Sequence, residues 1–224
     1  MNTIPIKICG LTREQDVQDA VQAGASAIGF VLYPPSPRHV SAERAAQLSR
    51  HLPAFVTPVL LFVNATLEDI RHAAEQVPGA LLQFHGDETP EFCEKTAQTL
   101  GRRWLRVARV PQETPQGQAP FDLVNYASLY AKADALLLDT LVDGYGGSGH
   151  RFNWSQLPTN VNAHLVLSGG LTPANVADGI RALHRRGLSL AVDVSSGVES
   201  AKGLKDPHKI RAFVAAVHQA AAQL

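Results

Sequence analysis

Eight short apolar runs recur along the 224 residues at a spacing of roughly 28, and this rhythm limits the fold more than any other feature. They are IPIKIC (4–9), AIGFVL (27–32), FVTPVLLFV (55–63), ALLQFH (80–85), RRWLRVARV (102–110), ALLLD (135–139), HLVLSG (164–169) and LAVDVSS (190–196). Between most of them lie segments with helical spacing and helix-start signals. Thr12 precedes 13–23, Ser41 precedes 42–51, Thr66 precedes 67–76, and Thr89-Pro90 opens 91–99. Thr172-Pro173 opens 174–185 and Asp206-Pro207 opens 208–223. Strands alternating with helices of that length give βαβ units and a parallel sheet. Eight units with no leftover segment predict an α/β protein with one domain, 1–224. The expected form is a single (β/α)8 TIM barrel with parallel strands, a fold that takes ~200 to ~250 residues. An open, doubly wound sheet is the competing arrangement.

Composition narrows the function classes. Lys+Arg and Asp+Glu number 20 each, and a net charge of zero argues against non-specific nucleic-acid binding. Cys9 and Cys93 stand 84 positions apart, so neither a disulfide framework nor a CxxC motif is expected. The opening MNTIPIKICG carries its lysine inside the apolar run and does not read as a signal peptide. No stretch approaches the ~18 apolar residues of a membrane span. A cytoplasmic protein is expected. No HExxH or comparable spacing links the nine histidines, so no metal is expected either.

In a barrel, chemistry is built where strands end. Period-2 reading of the first run puts Ile4, Ile6 and Ile8 outward, and Lys7 with Cys9 inward. In the eighth, Val192 and Val194 point outward while Asp193 and Ser195 point inward. Two opposite charges facing into one barrel predict a Lys7–Asp193 pair, since a lone buried charge is costly. Cys9 is then either a small buried hydrophobe or a thiolate base whose pKa is lowered by Lys7. Cys93, in PEFCEK on a helix, reads as a bystander. Asp139 at the end of ALLLD is either a loop residue or a carboxylic acid able to donate a proton. Arg38, after Pro34, Pro35 and Pro37, is a surface arginine or a rigidly held fork for a carboxylate or phosphate. His85 shares an inner face with Gln83 and reads first as a hydrogen-bonded rim histidine.

Two glycine-rich strand ends suit a phosphate. LSGGLTPANV puts Gly169 and Gly170 before a predicted helix, and DVSSGVES puts Ser195, Ser196 and Gly197 after the eighth strand. Barrel phosphate sites commonly lie on these two loops. The run Gly144 to Gly149 fits GxGxxG, but no long helix follows and no acidic residue occurs between 150 and 177. It reads as an active-site lid spanning 141–153, and 111–120 as a second mobile loop.

KICGLT, YPPSPRHV, LLQFHGDE, LLLDT, GGSGHRFNW, LSGGLTPANV and VDVSSGVES with KGLKD together resemble the phosphoribosylanthranilate isomerase family, from about residue 6 to 206. Phe84 stands where leucine is more usual, and Asn153 where FDW is commoner than FNW. The resemblance implies an Amadori rearrangement in tryptophan biosynthesis on a (β/α)8 barrel, with no cofactor. By resemblance, Cys9 is the general base, Asp139 the general acid, and Arg38 the holder of the anthranilate carboxylate. The glycines and serines at 169–170 and 195–197 form the phosphate cradle, with His85 and Asp193 counted among the substrate-binding residues. The implied partner is a phosphorylated sugar-anthranilate, handled by a monomer or homodimer. Indole-glycerol-phosphate synthase, a histidine-pathway sugar isomerase and a non-catalytic phosphate-binding barrel are the rival readings; Cys9 and Asp139 argue against the last two.

Overall fold

A computed structural model describes residues 3–112, 121–140 and 153–224. The segment expected as a lid, 141–153, lies outside the described residues except for Asn153, as does most of 111–120. Eight parallel strands close into a barrel in sequence order. They are β1 (Ile6–Cys9), β2 (Ala27–Val31), β3 (Thr57–Phe62), β4 (Leu81–Phe84), β5 (Trp104–Val110), β6 (Ala135–Thr140), β7 (His164–Leu167) and β8 (Ser189–Val194). Closure comes from β1 pairing with β8, which sets Lys7 opposite Asp193. No helix among the described residues is long and apolar enough to cross a membrane.

The strands are apolar on both faces because helices cover one and the barrel interior fills the other. Outward residues such as Ile6, Ile28, Phe30, Leu60 and Leu82 join the large core under the helices. Leu105, Val107, Leu137 and Val166 fill one end of the interior. Cys9, Val31, Leu61 and Val63 form a separate group at the ends of their strands. Phe84, the unusual aromatic, sits edge-on to Phe92 and Trp104 at centroid distances of 6.3 and 5.7 Å. Such edge contacts are favourable for aromatic pairs, so the extra bulk is used in packing.

Helices α1 (Glu14–Ala23), α2 (Ala42–Ser49), α3 (Leu67–Gln76), α4 (Pro90–Leu100), α5 (Leu123–Leu129), α6 (Val176–Leu183) and α7 (Pro207–Ala221) surround the strands. Ser41, Thr66, Thr89 and Asp206 cap as expected, each accepting a backbone N–H of the first turn. Two expected caps do not form. At α1 the cap position falls to Arg13, whose guanidinium instead holds Asp16 at 2.6 and 3.0 Å. At α6 the helix begins after Asn175, not at Ala174. The Asn175 side chain is spent upstream: it accepts from the Thr172 N–H and donates to the Gly170 carbonyl, which holds 170–175 as loop.

The expectation of eight complete units needs a further correction. Helix α5, capped by Asp122, carries no Ser/Thr signal. Between β6 and β7 the described residues hold only a 3-10 turn, Trp154–Gln156. After β8 the chain forms a small hairpin, β9 (Glu199–Ala201) with β10 (Leu204–Lys205), before α7.

Candidate active site

At the strand ends the inner-face alternation brings charged groups into a buried ring. Lys7 Nζ lies 2.8 Å from Asp193 Oδ1, with both side chains under 8% exposed, so the pair expected from period 2 is present. Ser168 Oγ donates to the other oxygen of Asp193 at 3.2 Å. Burial alone would discharge Lys7; Asp193, and then Cys9, outweigh it and hold the ammonium above the ordinary lysine range.

Cys9 ends β1 beside Gly29 of β2, its register partner. A Cβ at Gly29 would stand 2.7 Å from Cys9 Sγ and 3.1 Å from Lys7 Cε. Glycine there is what leaves room for both side chains in the interior. The expectation of a thiol acidified by Lys7 is not met in the protein alone. Burial pushes the Cys9 thiol up; Lys7 pulls against it, and Asp193 adds to the rise. The physical reason is first the burial of the thiol, which outweighs Lys7; Asp193, 2.8 Å from Lys7, adds a smaller push in the same direction. Cys93 is buried in α4 and its thiol is pushed up to about 12 by burial.

Opposite lies a hydrogen-bonded line across β4 and β6. Gln83 Nε2 is 3.1 Å from His85 Nδ1, and His85 Nε2 is 3.2 Å from Asp139 Oδ2. Asp139 Oδ1 accepts from the Thr140 N–H at 2.9 Å. All three side chains are buried. His85 is therefore a bonded rim histidine whose partner is the candidate acid.

Arg38 is not the open fork that its proline-rich loop suggested. Its Nε and Nη2 bind the two carboxylate oxygens of Glu199 at 2.6 and 2.8 Å. Of its three nitrogens, Nη1 is the one Glu199 does not take. Glu199 Oε1 also accepts from Lys205 at 2.9 Å, and Lys205 reaches the Ser195 carbonyl at 3.0 Å. Ser195 Oγ donates in turn to the Cys9 carbonyl at 3.0 Å. Burial pushes Glu199 up, but Arg38 and then Lys205 outweigh it and hold the carboxyl below its usual range. Lys205 is drawn below the usual lysine range by burial, against the pull of Glu199.

Gly169 and Gly170 have φ of +76° and +63° and lie at the end of β7. Because α6 starts only at Val176, they do not sit at a helix N-terminus as expected. Ser196–Val198 is a 3-10 turn after β8. The seventh and eighth loops meet at Gly197, where a Cβ would stand 1.8 Å from the Leu171 carbonyl oxygen.

Glu199, Lys205 and Gly29 were not singled out in the sequence. Glu199 and Lys205 flank a turn at Lys202-Gly203, with Gly203 at φ +83°, and that hairpin signal was available. Their buried charge was not, because it depends on Arg38, 161 residues from Glu199.

The family model for N-(5'phosphoribosyl)anthranilate (PRA) isomerase matches residues 6–216. An N-(5'-phosphoribosyl)anthranilate isomerase of Leptothrix cholodnii is 56% identical over 218 residues, covering 97% of this chain and 92% of that relative. Among solved structures, phosphoribosyl anthranilate isomerase of Thermotoga maritima superposes with a TM-score of 0.81 at 37% identity, covering 97% of this chain and all of that one. A second, solved in complex with reduced 1-(o-carboxyphenylamino)-1-deoxyribulose 5-phosphate, gives 0.78 at 34% identity, with coverages of 97% and 100%.

Proposed function

The chain belongs to the N-(5'-phosphoribosyl)anthranilate isomerase family, enzymes of tryptophan biosynthesis, and from that premise we propose that Asp139 and Cys9 are the two proton-transfer groups of the reaction. In this reading Asp139 gives its proton to the furanose ring oxygen. The C1′–O bond breaks and leaves a protonated Schiff base. Cys9, as thiolate, then takes the C2′ proton, and the electron pair moves into the imine to give an enolamine. Tautomerisation yields the ketone, 1-(2-carboxyphenylamino)-1-deoxyribulose 5-phosphate. The protonated imine is itself the electron sink, so the step calls for no metal or cofactor.

The observation that carries this reading is the placement of Cys9 and Asp139 on buried inner positions at the strand ends, with Asp139 bonded to His85 and the Cys9 backbone carbonyl accepting from Ser195 Oγ. Arg38 offers Nη1 to the anthranilate carboxylate while Glu199 fixes the guanidinium plane. The loops bearing Gly169, Gly170, Ser195, Ser196 and Gly197 hold the phosphate, His85 orients Asp139, and Asp193 keeps Lys7 charged. The product-like ligand in the solved relative supports this choice of partner. The same proposal has 1–224 acting as one domain, in the cytoplasm, as a monomer or homodimer without nucleic-acid or membrane partners.

The test is turnover of freshly made phosphoribosylanthranilate, followed by loss of its fluorescence. Cys9→Ala and Asp139→Asn should each cost at least about 100-fold in kcat with an unchanged melting curve, the typical scale of general acid–base catalysis. A folded Cys9→Ala protein at near-full rate would refute the thiolate.

A further inference from the structure

Arg106 points outward from β5, between the inward-facing Leu105 and Val107, and is nonetheless buried. Its ion partner is Glu88, in the loop between β4 and α4, with Nη1 2.6 Å from Oε2. Buried pairs can often be replaced by apolar residues without loss, so stability alone does not account for one. The remaining donors of the guanidinium are more telling. Nη1 also donates to the Phe84 carbonyl at 3.2 Å, and Nη2 to the Gly86 carbonyl at 2.9 Å. These carbonyls stand immediately before and after His85. Glu88 Oε2 accepts from the Gly86 N–H at 2.9 Å, and the His85 N–H donates to the Phe62 carbonyl at 2.8 Å. Four main-chain groups of three consecutive residues are held in this way, three of them by one buried ion pair.

The pair is itself braced. Arg106 Nε donates to the Tyr126 hydroxyl at 2.8 Å, which donates in turn to the Val107 carbonyl at 2.8 Å. The guanidinium carbon lies 4.9 Å from the centre of the Tyr130 ring, and the Tyr130 hydroxyl donates to the Glu88 carbonyl at 2.8 Å. Glu88 Oε1 accepts from the Asn64 N–H at 2.8 Å, in the loop after β3. Asn64, at φ +51°, is the one non-glycine residue of positive φ among the described residues. The braces therefore converge on the loop that carries His85 and on its neighbour.

We propose that Arg106, held by Glu88, is a positioning residue for the reaction: it fixes the backbone on both sides of His85 and so keeps the imidazole at its hydrogen bond to Asp139. The proposal rests on the reading of Asp139 as the general acid and of His85 as the residue that orients it. His85 Nε2 is 3.2 Å from Asp139 Oδ2, at the long end of the range, so a backbone shift of about 0.5 Å takes the pair out of bonding distance. Lysine cannot do the same work. Its ammonium is a single point, whereas the Phe84 and Gly86 carbonyls are met by two branches of a planar fork.

The experiment is a double-mutant cycle in steady-state turnover, with wild type, Arg106→Lys, His85→Ala and the double variant, each checked by its melting curve. Arg106→Lys keeps the positive charge that faces Glu88. It should lower kcat by roughly 10-fold or more with KM little changed, since a misplacement of about 1 Å can cost about 100-fold. In the His85→Ala background the same substitution should change kcat by less than about 2-fold. An equal loss with and without His85 would overturn the proposal, because it marks a packing role only. So would a folded Arg106→Lys or His85→Ala protein at wild-type kcat. If Arg106→Lys does not fold, Glu88→Gln, which keeps an acceptor oxygen but not the charge facing Arg106, goes through the same cycle and is judged in the same way. Full activity of Asp139→Asn would instead remove the acid assignment, while the dependence of Arg106→Lys on His85 would still be read from the cycle.

Discussion

Replacing Asp193 by asparagine keeps the outline of the site and removes the negative charge that Lys7 faces across 2.8 Å. Both side chains are under 8% exposed, so water cannot take over the lost solvation. Breaking a buried pair from one side costs about 3–5 kcal/mol, because the remaining charge is left uncompensated. Asparagine Oδ1 can still accept one hydrogen bond from Nζ, which puts the expected loss near the lower end, about 3 kcal/mol. For a chain of this size that lowers Tm by about 6–12 °C. Urea unfolding at pH 7 measures it, provided the m-value is unchanged.

The pH dependence carries a definite sign. In the wild type Lys7 is held above the ordinary lysine range, so its contribution is complete below about 10.4 and is lost only as pH rises beyond that. In Asp193→Asn burial acts on Lys7 unopposed by that partner, so the loss should shrink as pH climbs toward 10.4. Adding Lys7→Met should restore part of the stability, because it removes the buried charge left without its partner. A loss under about 1 kcal/mol, or a Lys7→Met/Asp193→Asn protein no more stable than Asp193→Asn, would refute the reasoning.

Glu199→Gln replaces a carboxylate bonded by Arg38 and Lys205, and should raise KM by roughly 10-fold or more, on the scale of a charged hydrogen bond; unchanged steady-state KM would separate Glu199 from the carboxylate site. Gly197→Ala puts a Cβ against the Leu171 carbonyl at 1.8 Å, so the seventh and eighth loops must part. That should cost about 1–3 kcal/mol in urea unfolding and weaken substrate binding, and a variant unchanged in both would show that the loops yield freely. Cys93, pushed up to about 12 from 9.0, stabilises the fold fully below pH 9 and progressively less from pH 9 to about 12, as the unfolded thiol ionises first. The urea midpoint of the wild type should fall across that window and that of Cys93→Ala should fall less; parallel curves would place the alkaline loss elsewhere.

Period-2 reading of two strands was enough to foresee Lys7 facing Asp193, because parallel register fixes which inner residues meet. The same reading put Gln83 beside His85. What one segment cannot carry is the claim of another segment on the same side chain. Thr12 and Thr172 have cap chemistry, yet Arg13 binds Asp16 and Asn175 binds back to its own loop, so both helices start later than the caps suggest. Arg38 read as an available fork because Glu199 lies in a hairpin after the last barrel strand. Cys9 read as acidified because Lys7 was visible. The burial that outweighs Lys7 is a property of all eight strands together and has no local sequence signal.

That upward push on Cys9 bears on the order of the proposed proton transfers. Around it stand three cations, Lys7, Arg38 and Lys205, against two carboxylates, Asp193 and Glu199. One positive charge in this set is unmatched, and in the proposed complex the anthranilate carboxylate at Arg38 matches it. Burial still outweighs the help that Lys7 and Lys205 give the thiolate. The charge that can favour it is the one the first step creates, since protonation of the ring oxygen by Asp139 leaves a cationic imine next to the C2′ proton. At the short distances of a buried site, such a cation stabilises an adjacent anion far more than it would in water. Acid before base therefore follows from the electrostatics: the base is weakly ionised until the acid has acted, and a buried thiol with little thiolate is also protected from side reactions while the site is empty.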